Sequence, residues 1–305
     1  MSSAASSGTV LSLRRYPVKS MQGEEVEAAP VTAHGLLGDR AYAVVDRETG
    51  YIASAKHPRK WRSLLACRAA YTEPPQPDAP LPPVLITLPN GDSIRSDEPD
   101  VDMILSWVLG RAVSLITEAP ATPLREADRT PIEGSTTGLV INRETMALAA
   151  PAGTFFDYAP LHLLTTSTLE RLVREYSRGR FDPRRFRPNI LISLTSGEID
   201  FVENAWIGHA VRIGEETHLH VLDPCPRCIV TTLAQADLPH DPTILRTIAQ
   251  HNAADSATLS PGTLFPAVVG VYANTLGSGI IRRGDFVQPV LTEPASTYIE
   301  RSDYC

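Results

Sequence analysis

Two thiols, Cys225 and Cys228, flank a proline and an arginine in the run Asp223-Pro224-Cys225-Pro226-Arg227-Cys228-Ile229-Val230-Thr231-Thr232, in a 305-residue chain with only 4 cysteines. A thiolate is both a soft metal ligand and a redox nucleophile, which narrows the chemistry to zinc, molybdenum, iron–sulfur iron or thiol exchange. The C-x-x-C spacing alone serves all of these. Thioredoxin-type exchange needs the first cysteine at a helix N-terminus, where the dipole lowers its pKa, whereas the β-branched run 229–232 predicts a strand. Zinc is the stronger rival. His218 and His220 alternate on a predicted strand, so both point to one side a few residues ahead of the thiols. The same alternation also describes the solvated face of a half-buried strand.

Three further segments have the composition of an anion pocket. Arg14-Arg15-Tyr16-Pro17-Val18-Lys19-Ser20 ends a strand in a bend that offers an ammonium beside a hydroxyl. Gly35-Leu36-Leu37-Gly38-Asp39-Arg40 is a glycine-flexed turn that presents Arg40. Arg184-Arg185-Phe186-Arg187-Pro188-Asn189 sets several guanidiniums before another strand. Guanidinium grips phosphate bidentately and lysine binds it as a point charge, so an anionic cofactor suits them. For any one cluster, solvated surface arginine is the competing explanation.

Short β-prone runs separated by turn residues must position these groups. Strands are predicted at 9–16, 41–46, 64–71, 84–88 and 112–116, with a proline-rich connection over 72–83 and a helix over 101–109. A polar, turn-rich stretch, 120–138, marks a boundary. Beyond it the apolar spacing of Leu169, Leu172, Val173 and Tyr176 predicts a helix over 167–177, capped by Ser167 or Thr166, with Glu170 completing a capping box on Ser167. Strands follow at 189–194, 211–213, 218–222, 229–232, 267–273 and 286–290, interrupted by a helix over 243–251, and the tail 291–305 is loosely held. The fold class is therefore β-rich α+β: an N-terminal β-barrel-like domain over 9–120, then a β-barrel with a few peripheral helices over 130–290.

Composition sets the outer bounds. At 43% hydrophobic residues the chain buries a substantial core, and no apolar run of about 18 residues or signal-like leader occurs. A net charge of -7 argues against nucleic-acid binding. The expected setting is cytoplasmic, away from membranes, with cysteines too few and too scattered for a disulfide framework.

Together, Tyr16-Pro17-Val18-Lys19-Ser20, Gly38-Asp39-Arg40, Phe186-Arg187-Pro188-Asn189 and Arg227-Cys228-Ile229-Val230-Thr231-Thr232 resemble, in order and spacing, the MOSC-domain proteins with an N-terminal MOSC β-barrel domain. That group includes the mitochondrial amidoxime-reducing component and its bacterial relatives. The resemblance runs from about residue 10 to residue 290. It implies a molybdenum cofactor (Mo-molybdopterin) with Cys228 as the thiolate on the metal and the catalytic centre. Lys19, Ser20 and Arg40 would hold the pterin or its phosphate from one side, Arg187 and Asn189 from the other, with Thr165 and Thr166 as polar contacts. Arg227 would favour the Cys228 thiolate and contact the cofactor. The implied activity is reduction of N-hydroxylated compounds, with electrons from a separate donor protein of ferredoxin, flavoprotein or cytochrome type. A sulfur or cofactor carrier using a Cys228 persulfide is the alternative. Asp223, His220 and Asn252 are candidates for gating or proton donation. The chain departs from its relatives at Pro226, where they have a small hydroxyl residue, and no ferredoxin domain follows residue 290.

Overall fold

The computed structural model describes residues 6–129 and 140–290. Its centre is a closed seven-stranded barrel. Leu161–Thr165 runs parallel to Ile190–Leu194 and antiparallel to Val268–Thr275. Thr217–Pro226 joins Val268–Thr275 to Ala210–Ile213, which pairs with Phe286–Val290. Gly8–Arg15 closes the circle between Phe286–Val290 and Ile190–Leu194. This first strand therefore sits in the barrel otherwise built from the C-terminal half of the chain. Alternation turns Val10, Leu13, Leu163, Ile192, Val221 and Val271 inward onto buried Trp206.

The rest of the N-terminal half has its own core. Ala43–Asp46 pairs with Val113–Ile116, and Arg68–Tyr71, Val84–Thr87 and Ser93–Arg95 form a meander. The helix Val101–Leu109 lies where the spacing predicts it. It buries Val101, Leu105 and Leu109 and ends at Gly110 in the left-handed conformation, φ 67°. The molecule is β-rich with few helices, as expected.

Several elements differ from expectation, each for a local reason. Residues 62–66 form a 3-10 turn that buries Leu64 and Leu65, so the strand begins only at Arg68. The helix Thr166–Glu175 is capped by Thr165, whose hydroxyl accepts from Thr168 N–H; Ser167 instead donates to the carbonyls of Glu198 and Asp200. Ile229–Thr232 is a 3-10 turn rather than a strand, because the hydroxyls of Thr231 and Thr232 bond back to the carbonyls of Cys228 and Ile229. Leu124–Arg129, within the polar, turn-rich stretch expected to be a boundary, is a strand that pairs antiparallel with Val140–Thr145 just beyond it. The remainder of that boundary, from residue 130 on, and the tail 291–305 lie outside the described residues.

Candidate functional site

The three arginine-bearing segments and the cysteine segment meet in one cavity of about 100 Å³ between the two cores, lined by Lys19, Ser20, Arg40, Arg187, Asn189, Arg227 and Cys228. Three of these residues hold backbone conformations unusual for non-glycine residues: Ser20 (φ 65°), Arg40 (φ 48°) and Arg187 (φ 58°). Each sits where the chain turns sharply. Gly38 sets up the turn before Arg40, since a Cβ there would lie 2.7 Å from the Tyr71 ring. Arg187 ends the short helix Pro183–Phe186, whose N-cap Asp182 accepts from Arg184 N–H.

Tyr16 binds the arginine segments together. It is buried, its hydroxyl donates to the Pro188 carbonyl, and its ring centroid lies 4.6 Å from the Arg40 guanidinium carbon and 4.2 Å from that of Arg187. Asn189 cross-links the same region, donating to the Arg14 carbonyl and Asp39 and accepting from the His162 N–H. Its role in this geometry is to fix the floor of the cavity.

The cations divide by partner. Arg40 is paired with buried Asp39. Asp157 takes Lys19, Lys56 and Arg125 together, and Arg125 also holds Glu144. Burial by itself would raise the Asp157 carboxyl, but Arg125, Lys19 and Lys56 outweigh it and hold it well below the usual carboxylate range. Burial pushes the Lys19 ammonium down to about 7, against the opposing pull of Asp157. Arg187 has no carboxylate within ion-pair distance among the described residues. It donates only to the Met21 carbonyl, and burial, aided by nearby Arg40, lowers it to about 10. Arg227 is alike: it donates to Cys225 Sγ and the Phe186 carbonyl, and its buried Nε has no partner. His162, forced down to about 3 by burial and then by Arg227, is a neutral ring in the same wall.

The two thiols have separate fates. Cys225 is buried, its sulfur accepting from Arg227 Nη1. Cys228 is half-buried at the start of the 3-10 turn, against Ala55, Leu65 and Val230. Arg227 thus hydrogen-bonds the Cys225 sulfur, and its charge also acts on Cys228 through space. Pro226 carries no N–H of its own, and the neighbouring Arg227 N–H donates to the Ala267 carbonyl.

Other predicted groups lie elsewhere. Thr165 and Thr166 are not among the cavity residues; Thr165 donates to buried Glu203 and caps its helix. His218 and His220 face away from the barrel interior, and no group of three or more potential metal ligands occurs among the described residues, so the two histidines and two thiols do not assemble a zinc site. Asp223 is buried and accepts the N–H groups of Ala257, Thr258 and Leu259, which makes it a loop anchor. Asn252 is a buried cross-link between Asn204 and the Val268 carbonyl. Sequence reasoning missed Lys56, Arg125, Asp157 and Tyr272, which stand in no motif and are joined only by the fold.

This donor set fits an anionic, metal-bearing group. Two half-buried guanidiniums, Arg187 and Arg227, lack carboxylates among the described residues, the buried Arg227 Nε lacks any partner, and a half-exposed thiol opens onto the same space. The enclosed volume suits a phosphate-sized end of such a group.

Comparison with known proteins agrees with this geometry. The model of the MOSC domain matches residues 151–288, and that of the MOSC N-terminal beta barrel domain matches residues 7–73. The chain is a MOSC protein. It is 27% identical over 297 residues to mitochondrial amidoxime-reducing component 1 of Mus musculus, covering 91% of this chain and 81% of that one. Identity to the human protein of the same name is 27% over 254 residues, covering 74% of this chain and 66% of that one. Among solved structures the YUAD protein of Bacillus subtilis is similar, with 10% identity, a TM-score of 0.41, and coverage of 93% of this chain and 95% of that one. No helix among the described residues is long and apolar enough to cross a membrane.

Proposed function

We propose that this protein binds a molybdenum cofactor and reduces N-hydroxylated compounds with electrons from a separate donor protein. One observation carries the proposal: two half-buried guanidiniums with no carboxylate paired to them among the described residues share a cavity with a half-exposed thiol. The family and the amidoxime-reducing relatives support it.

The cofactor supplies the two-electron chemistry that cleaves an N–O bond, with two protons taken up and water released. The chain supplies the rest. Cys228 offers the soft ligand from a turn locked by the Thr231 and Thr232 hydroxyls. Arg187 and Arg40, spaced by Tyr16, hold the anionic end, with Lys19 beside them. Arg227, fixed by Cys225 and the Phe186 carbonyl, adds a cation next to the thiol. Asp157 ties Lys19, Lys56 and Arg125 into one rigid wall.

Metal and pterin analysis of freshly purified protein tests the proposal. About one molybdenum and one pterin per chain are expected. Cys228→Ala should bring molybdenum to background with folding unchanged by circular dichroism, and Cys225→Ala should retain most of it. Stoichiometric zinc, or a labile sulfane sulfur on Cys228 without metal, would overturn it.

A further inference from the structure

Cys228 stands on the wall between two cavities. Beyond the first lies a second of about 400 Å³, and Cys228, Arg227, Tyr272, Asp157 and Lys56 line both. The second falls within the size of small-molecule sites, about 300–1,000 Å³.

The electrostatics of the two differ. In the second, Arg125 is paired with Glu144 and Asp157, Lys56 with Asp157, and Asp128 with buried His57. Its one cation without a carboxylate, Arg227, is shared with the first cavity and turns its hydrogen bonds to Cys225 and the Phe186 carbonyl. Apart from Arg227, a charged guest would face only paired carboxylates and paired cations and would lose hydration for little gain of counter-charge. The remaining surface is aromatic and apolar. Tyr158 and Tyr272 meet edge to face, with centroids 5.3 Å apart, and Leu148 and Leu259 complete the wall.

A buried carboxylate outside the first cavity builds part of this wall. Asp223 accepts N–H groups from Ala257, Thr258 and Leu259 and hydroxyls from Ser256 and Thr258. The Thr258 hydroxyl also bonds that of Tyr158. Asp223 therefore fixes both Leu259 and the tyrosine pair, a positioning role rather than a catalytic one.

We infer that the second cavity is the substrate chamber and that it selects uncharged, planar, partly aromatic N-hydroxylated molecules, with the Asp223-anchored loop setting its shape. This rests on the function proposed above. The first cavity holds both cations without carboxylates, Arg187 and Arg227, the second adds no further one to the shared Arg227, and the thiol between them places the reacting position at their junction.

The test uses molybdenum-loaded protein reduced chemically with dithionite and methyl viologen, so that no donor protein is needed. Three substrates are compared: a neutral aryl amidoxime, the same ring bearing a carboxylate, and the same ring bearing a trimethylammonium group. The neutral parent should show kcat/KM at least about tenfold above both charged forms, mostly through KM. Asp223→Asn should raise KM for the aryl substrate severalfold without lowering molybdenum content, while KM for a small aliphatic amidoxime stays within about twofold. Leu148, 65% exposed at the rim, gives a variant that folds regardless. Leu148→Lys should improve the carboxylate form relative to the trimethylammonium form. Equal kcat/KM for all three substrates, or an unchanged ratio in Leu148→Lys, would overturn the chamber assignment. Loaded protein that reduces no N-hydroxylated compound overturns instead the function beneath it.

Discussion

Arg125 is a buried guanidinium and Arg187 a half-buried one near the same thiol, and they differ in what decides the use of such a charge. Arg125 is held by Glu144 and Asp157, and its charge is cancelled where it lies. Arg187 has a backbone carbonyl, a tyrosine face and another arginine as neighbours, and burial lowers it to about 10. A fold keeps the first kind of cation for its own architecture. The second kind weakens the ligand-free fold and is offset only when an anion arrives.

The sharpest way to break this contrast is to remove each charge separately. Arg125→Met leaves Asp157 and Glu144 without a main partner in a buried setting, and unfolding free energy from denaturant titration should fall by about 3–5 kcal/mol. Arg187→Met removes a charge that no carboxylate among the described residues pairs with directly. The cofactor-free protein should be no less stable, while cofactor retention on dialysis weakens by about 2–5 kcal/mol. If Arg187→Met destabilises as much as Arg125→Met, the division into structural and ligand-directed cations is wrong.

Lys19 lies between the two kinds, paired with Asp157 yet lowered by burial to about 7. Its charged form is present below that value and lost above it, so anion affinity should fall as pH rises through about 7, by at most tenfold per pH unit for one proton. Lys19→Met should flatten that dependence, measured as cofactor retention against pH. For the folded chain alone the sign is opposite. The unfolded ammonium keeps its proton up to the ordinary lysine value, so the Lys19 contribution makes the cofactor-free protein more stable as pH rises from about 7 toward that value. The smallest expected effect belongs to Thr165, which serves the helix cap and Glu203: Thr165→Ala should cost about 1–2 kcal/mol of stability and leave molybdenum content unchanged.

Much of this site was legible along the chain because its residues sit in short, local motifs. Lys19 and Ser20 follow a proline bend, Arg40 follows a glycine turn, and Arg187 and Asn189 flank a proline, so each segment reveals itself by composition. The fold brings all of them, with Arg227 and Cys228, to one cavity. Thr165 and Thr166 failed to join because a helix N-terminus needs its own donors capped, and that local demand took the Thr165 side chain. The turn at 229–232 was misread as a strand because β-branched residues favour extended backbone, while two hydroxyl back-bonds favour the turn and prevail here.

By itself the sequence determined the β-rich class, the arginine-bearing segments and the thiol, since each depends on neighbouring residues and on period. Only the tertiary structure decided which cations are neutralised and which wait for a guest. Asp157 gathers Lys19, Lys56 and Arg125 from positions 138, 101 and 32 residues away. Charge pairing acts through space, and chain closure brings those groups together without any mark in the local pattern. The division of labour between Cys225 and Cys228 has the same origin, because burial and the reach of Arg227 separate two thiols that the spacing alone leaves equivalent.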